Sequence, residues 1–343
     1  MPPSISLPPP HPSSVDVADV WPWTPAPPSA PPAGADWPRI TIVTPSFNQA
    51  PFLEATIRSV LLQEYPNLEY IIVDGGSTDE SVEIIRRYED RLAWWVSEPD
   101  RGQSHALNKG FARASGDIFA YLNSDDIYEP GALLAAAEAF RGGALWVSGR
   151  VNYLTPEGGL FPFPEVPGRG LPQWLMTCPI AQPGTWWSAN LHRRVGALRE
   201  DLHYVIDYEF WLRLRVDERV RPERLERFVA RYRLHAESKT VADGGAFARE
   251  ARQMISSYEA RLAPWERLWL WTARRRRRAF VYGREAAGLI GARQPRAAVA
   301  RLAKAISTWP LVVLDPRALS ALTEQRLRSD DAHSPHDIFP PYW

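Results

Sequence analysis

Four short stretches of this 343-residue chain end an apolar run with acids and small polar residues: Thr44-Pro45-Ser46-Phe47-Asn48, Asp74-Gly75-Gly76-Ser77-Thr78-Asp79, Glu98-Pro99-Asp100-Arg101-Gly102 and Asn123-Ser124-Asp125-Asp126. If the apolar runs are neighbouring strands of an open α/β sheet, these stretches share its carboxyl edge, where such folds bind ligands. Asp74, Asp100, Asp125 and Asp126 gathered there would repel one another unless cations or hydrogen-bond donors sit among them. A hard divalent ion, Mg²⁺ or Mn²⁺, answers that need, because it takes oxygen ligands from one or two carboxylates and completes its shell with substrate phosphates. The remaining carboxylates suit ribose hydroxyls and a base edge. The chemistry implied is a metal-assisted reaction of a nucleoside diphosphate.

The elements needed to bring these residues together are legible around them. Ile40–Thr44, Leu68–Val73, Leu92–Ser97 and Asp117–Leu122 read as strands, with Pro45 ending the first. Between them, Leu53, Ile57, Val60 and Leu61 fall on one helical face, and Ser77 with Glu80 forms a capping box for a helix carrying Val82, Ile84 and Ile85. Helices over 106–114 and 130–140 and a strand over 145–151 continue the alternation, which is that of a sheet covered on both faces. Residues 155–190, rich in Pro, Gly and Trp, read as a long ordered loop region of the kind that shapes a site. A helix over 207–216 and a strand over 227–234 follow. The expected fold class is therefore α/β, a Rossmann-like, mostly parallel sheet flanked by helices, with further helices appended.

Composition sets the boundaries. Residues 1–38 hold thirteen of the 33 prolines and read as a disordered or polyproline tail; 39–245 form the α/β domain, 246–308 a helical extension without strand signal, and 309–343 a loosely ordered end. Forty Lys+Arg balance forty Asp+Glu, so no global field favours nucleic acid. The single cysteine, Cys178, excludes an internal disulfide and suits a reducing compartment. No apolar stretch is long enough to span a membrane, and the start lacks a signal-peptide pattern. The expected location is the cytoplasm, with the inner membrane surface left open. Arg274, Arg275, Arg276, Arg277 and Arg278, flanked by Trp269-Leu270-Trp271 and Phe280-Val281-Tyr282, have the composition of a segment on an anionic membrane and equally that of a solvated basic helix face.

Taken singly, each motif has a structural reading: Asp-Gly-Gly-Ser makes turns, and Asp-Asp after a strand caps helices. Their placement on consecutive strand ends favours a site. No glycine-rich phosphate loop follows the first strand, which argues against a dehydrogenase or kinase and for phosphate neutralisation by metal. Trp186 and Trp187 offer faces for stacking on a sugar, with core packing an equal alternative.

Together with Gln182-Pro183-Gly184-Thr185, Ile206-Asp207-Tyr208-Glu209-Phe210-Trp211-Leu212 and Arg233-Leu234-His235-Ala236-Glu237-Ser238-Lys239-Thr240, the four motifs resemble, in order and spacing, those of family 2 glycosyltransferases over about 200 residues. The resemblance implies an inverting enzyme of the GT-A fold. It implies that Thr44, Pro45, Ser46, Asn48 and Asp74 hold the nucleotide, with Asp100 near the base or ribose, Gln103 in the same nucleotide-sugar set, and Asp125 the ribose or secondary ligand. Asp126 is then the preferred metal ligand and His235 a late metal or diphosphate contact. Asp207 matches the catalytic base, with Glu209 the fallback, and Gln182, Trp186 and Glu209 stand toward sugar or acceptor. The partners so implied are a nucleotide-sugar donor, UDP-linked by default, and a glycan or lipid-linked hydroxyl acceptor of cell-envelope polysaccharide or glycolipid assembly. A non-catalytic nucleotide-sugar or carbohydrate binding module, and a metal-dependent nucleotidyltransferase, are the alternatives. The latter normally needs a basic, glycine-rich loop after the first strand, which Pro45–Phe52 lacks.

Overall fold

The computed structural model describes residues 7–14, 21–23, 36–164, 170–238 and 244–310. It divides into two units, whose described residues fall within Met1–Val166 with Cys178–Ala251, and within Pro167–Thr177 with Arg252–Trp343.

The first unit is built on one sheet. Its strands are β1 (Ile40–Ser46), β2 (Leu68–Asp74), β3 (Trp94–Ser97), β4 (Ile118–Tyr121), β5 (Ile127–Tyr128), β6 (Trp146–Leu154), β7 (Leu160–Pro162), β8 (Thr185–Ser188) and β9 (Glu223–Arg233), in the order β3-β2-β1-β4-β8-β6-β9-β5 with β7 on β6. The half holding β1 to β4 is parallel. Beyond it the sheet is mixed: β8 runs antiparallel to both β4 and β6, and β9 runs parallel to β6. The helices are α1 (Ala50–Leu61), α2 (Ser81–Arg86), α3 (Gln103–Arg113), α4 (Ala132–Arg141), α6 (Ala189–Val195) and α7 (Ile206–Leu212), the last continuing into a π turn over Arg213–Asp217. A short helix α5 (Leu171–Trp174) belongs to the second unit.

The expected apolar face of α1 is buried, as is most of the helix: Leu53, Ile57 and Val60 are inaccessible to solvent and join the core formed by Ile40, Ile42, Tyr70 and Ile72. Two local details differ from expectation. Pro45 does not end β1, which continues to Ser46 in register with Asp74. Ser77 and Glu80 form no capping box. Helix α2 starts at Ser81, whose amide bonds Asp79 Oδ1 at 3.0 Å, while Asp79 Oδ2 takes the Ala50 amide at the start of α1.

The described parts of the proline-rich segment lie against this unit, whereas composition alone implied an unpacked tail. Trp21 and Trp23 pack on Ala55, Ile127 and Leu154, and Trp21 Nε1 donates to the Tyr128 carbonyl at 2.6 Å. Beneath them, the inaccessible carboxylate of Glu54 accepts from the His11 amide, the Ser14 hydroxyl and the Tyr88 hydroxyl. Buried Arg58 donates to the carbonyls of Pro8 and Pro22. A buried carboxylate and guanidinium on one helix need such partners. The rest of residues 1–35 lies outside the described residues, as does the end from 311 onward.

Behind β4 and β8, His192 sits among Phe111, Phe119, Trp187 and Phe210, and its Nδ1 accepts from Trp187 Nε1 at 3.2 Å. Burial, and after it the charges of Arg213 and Arg193, lower its pKa to about 4. The unfolded imidazole titrates near 6.5, so the native state binds fewer protons between those values. The stability contributed by the neutral ring is complete above pH 6.5 and is lost as the pH falls toward 4, up to about 3 kcal/mol. Denaturant unfolding of His192→Gln, which keeps an acceptor but does not titrate, should therefore show a shallower acid slope than wild type. Equal slopes would place the acid sensitivity elsewhere.

In the second unit, α8 (Gly244–Glu259) leads from the first unit's last residues into α9 (Pro264–Gly291) and α10 (Pro295–Thr308). The last two pack on each other around Ala279 and Ala305, with Tyr282 and Trp309 alongside. These are the appended helices expected from the Ala, Arg and Leu-rich composition.

Candidate active site

The four strand ends do meet at one edge. Register places Ser46 beside Asp74 and Asp74 beside Ser97. The inaccessible Asp74 carboxylate is the knot of this edge: it accepts from the amides of Gly76 and Ser77 and from the hydroxyls of Ser77 and Ser97, at 2.5 to 3.1 Å. Asn48, at φ 51°, ties the first loop to the second, taking the Thr78 amide on Oδ1 and giving its own amide to Ser77 Oγ. Thr44 is turned into the sheet, its hydroxyl 3.1 Å from that of Tyr70. Ser46 Oγ is buried without a hydrogen-bond partner among the described residues.

Gly75 is where the second and third loops close. A Cβ there would lie 2.7 Å from Asp100 Oδ2 and 3.3 Å from the Phe47 ring, so only glycine lets both approach. The Phe47 ring stands 59% exposed over this spot. Asp100 Oδ1 takes the Gly102 amide at 2.7 Å, leading into α3. Gln103, the first residue of α3, donates from Nε2 to Asn123 Oδ1 at 2.7 Å.

Asn123 in turn reaches Gln182 Oε1 at 3.2 Å, and Gln182 Nε2 donates to the Tyr121 carbonyl at 2.7 Å. Gln182 is thus buried support for the fourth strand end. The acidic pair that follows is split. Asp126 is 1% exposed, its Oδ1 accepts the Arg233 amide at 3.0 Å, and burial followed by the Asp125 charge pushes its pKa well above the ordinary carboxylate range. Asp125 turns the other way, its Oδ2 3.0 Å from His235 Nε2, with both side chains partly accessible. Arg233 fixes the loop from the far side, its Nε donating to the Asp125 carbonyl while its guanidinium lies over Phe52.

Asp207 stands in the first turn of α7, with Oδ1 accepting the Tyr208 amide at 2.8 Å. Its charge acts on two groups of the edge: after burial, it is the largest influence raising both the Tyr121 hydroxyl and the Cys178 thiol well above their usual pKa values. Both therefore stay protonated beside it. The turn before α7 is held by Glu250 of α8, whose two oxygens accept the amides of His203, Tyr204 and Val205 at 2.6 to 3.1 Å.

Two expectations fail on burial. Trp186 is inaccessible and stacks on Tyr128 in the core, so it offers no face to a sugar. Glu209 is 3% exposed and pairs with Arg213 at 3.0 Å, and that arginine also bonds the carbonyls of Val195 and Ala197. It fixes α7 against the end of α6, with its carboxylate engaged by Arg213. Conversely, Phe47, Asn123 and Arg233 belong to the site although their positions carried no role in the sequence reading. Each lay inside a motif, and its type gave the available signal: an aromatic ring in a polar strand-end loop, an amide opening the acidic run, and an arginine two residues before His235.

A model of the family described as glycosyl transferase family 2 matches residues 41–221, which span β1 to the π turn and so include every strand end described above. The chain belongs to that family. An uncharacterized glycosyltransferase of Mycobacterium tuberculosis is 33% identical over 185 residues, covering 51% of this chain and 68% of the relative. A putative teichuronic acid biosynthesis glycosyltransferase of Bacillus subtilis, TuaG, is 40% identical over 92 residues, which span 36% of that protein. Among solved structures, the 1–349 portion of S. aureus TarS in complex with UDP-GlcNAc aligns with a TM-score of 0.52 at 16% identity, over 84% of this chain and 87% of that one. A mannosyltransferase from Pyrobaculum calidifontis in complex with GDP-Man and Mn²⁺ aligns with a TM-score of 0.51 at 19% identity, over 89% and 92%. A longer TarS chain is matched over 39% of its length. These structures establish the GT-A fold. As a family 2 member the chain is a glycosyltransferase.

Proposed function

We propose that this glycosyltransferase is metal-dependent and inverting, and that the Asp125–His235 pair receives the donor's diphosphate through Mn²⁺ or Mg²⁺. The 3.0 Å approach of those two side chains, at the edge where Asp74 and Asp100 also stand, is the observation that carries the reading. Among the described residues no group of three or more His, Cys, Asp or Glu could hold an ion by itself. Two protein ligands fit nonetheless, because such ions usually keep water or phosphate oxygens in the remaining positions. A bound ion would neutralise charge on the diphosphate as it departs. Relative to the sequence expectation, the ligand roles of the acidic pair are exchanged: Asp126, buried and bonded to the Arg233 amide, fixes the loop, while Asp125 faces the ligand.

The other roles follow from chemistry. The Phe47 face can stack on a base, the Asp100 carboxylate can accept from base or ribose donors, and Ser46 Oγ supplies a hydrogen-bonding group with no partner among the described residues. Asp207 takes the proton of the acceptor hydroxyl as that oxygen bonds to the anomeric carbon. The bond from that carbon to the diphosphate oxygen breaks with its electron pair on oxygen, and configuration inverts. The likeness to a protein named for teichuronic acid biosynthesis supports an acceptor in cell-envelope polysaccharide or glycolipid assembly.

The test is thermal unfolding of the purified chain with UDP, GDP, TDP, CMP or ADP, each with and without Mn²⁺. One nucleoside diphosphate should raise the midpoint only when the metal is present, by the equivalent of about 2.7 kcal/mol at a hundredfold excess over Kd. Stabilisation that is indifferent to metal would remove the metal from the reading, and stabilisation by none would remove the nucleotide.

A further inference from the structure

The chain as a whole is neutral, but its charge is not evenly shared. From Arg252 to Pro310 there are thirteen Lys or Arg against three Asp or Glu, a formal +10, so the rest of the chain carries −10. The same stretch holds seven of the ten exposed large apolar side chains found among the described residues.

On α9 these features are ordered by the helical repeat. Trp265, Leu268, Trp269 and Thr272 fall at i, i+3, i+4 and i+7, and Arg276 extends the stripe by one more turn. Trp265 is 69% exposed, Leu268 62% and Trp269 47%. Leu270, off this stripe, is buried, and farther along the stripe's own face Ala279, seven residues beyond Thr272, packs on Ala305 of α10, so the exposed part of the stripe is confined to the first half of α9. The arginine run is largely committed as well. Arg274 pairs with Glu259, Arg275 lies over Trp271 and donates to the Thr308 carbonyl, and Arg277 donates to the Met176 carbonyl. Arg267, Arg276 and Arg278 are exposed.

An apolar stripe of two indoles and a leucine, on a helix this basic, has the composition of an interfacial helix rather than of a solvated one. We infer that the first half of α9 docks on an anionic lipid surface, with Trp265, Leu268 and Trp269 entering the headgroup boundary and the surrounding arginines meeting lipid phosphates. The aliphatic Leu268 in mid-stripe favours lipid over a single-stranded nucleic acid, which would be held by stacking. The charge favours an anionic surface over the formally −2 segment from residue 311 to 343, which is a far weaker match for +10.

The experiment is sedimentation of the full chain with phosphatidylcholine vesicles and with vesicles in which a third of the lipid is phosphatidylglycerol. Binding should require the anionic lipid, weaken in high salt, and fall at least tenfold in W265S/L268S/W269S with melting temperature and nucleotide response unchanged. R276Q/R278Q should lower binding to anionic vesicles and leave the apolar contribution in place. As a check that needs no variant, lipids brominated high on the acyl chain should quench wild-type tryptophan fluorescence. Absence of binding to anionic vesicles, binding that survives loss of the three apolar side chains, or a dimer that the triple variant abolishes would each overturn the inference. So would equal displacement of vesicles by duplex DNA.

Discussion

Replacing Asp207 with Asn should lower kcat by about 10²- to 10⁴-fold, the usual worth of a positioned general base, while leaving metal-dependent nucleotide binding within twofold of wild type. Asparagine keeps an oxygen for the Tyr208 amide, so the first turn of α7 need not move. What it loses is the capacity to take a proton. Glu209, one position beyond Tyr208 on the same helix, offers no substitute, because it is buried against Arg213. Steady-state transfer assays with the donor identified by the nucleotide panel would decide the matter: turnover within about threefold of wild type would move the base elsewhere.

Asp125→Ala should abolish the part of the nucleotide stabilisation that requires Mn²⁺, and His235→Ala should reduce it in the same direction. Asp126→Ala should behave differently. Its side chain bonds the backbone of β9 at Arg233 from a site closed to solvent, so the variant should lose about 1 to 3 kcal/mol of folding stability, the cost of leaving the buried Arg233 amide without its acceptor, yet retain a metal-dependent response. Paired measurements of unfolding with and without nucleotide and Mn²⁺ separate the two effects. The reverse pattern, with Asp126 carrying the metal response and Asp125 dispensable, would return the ligand role to the second acid of the pair.

The comparison of these two aspartates shows where sequence reasoning ran out. The strand ends were readable because a parallel sheet forces its loops to one edge, and alternation of apolar runs with helical faces is enough to count those loops. Which of two adjacent acids faces the ligand depends on a non-local partner. Here that partner is the Arg233 amide, 107 residues away, and nothing near Asp126 in the sequence announces it. Trp186 and Glu209 failed for the same reason. Side-chain type suggested sugar stacking and proton transfer, but a buried Tyr128 and Arg213 already occupy them. The mixed half of the sheet was harder to read than the parallel half, since antiparallel β8 lies in a proline and tryptophan-rich stretch with no regular period. For the described parts of the proline-rich beginning, composition reports what a segment lacks. It could not report that Glu54 and Arg58 on α1 need its amides and carbonyls.

The hold of Glu250 on the three amides ahead of α7 has a consequence for how such enzymes diverge. Glu250 lies beyond residue 221, where the family match ends, yet it fixes the approach to the helix that bears Asp207. A chimera joined at residue 221 would keep the matched motifs yet replace Glu250, and the turn ahead of α7 would lose the acceptor of its three amides.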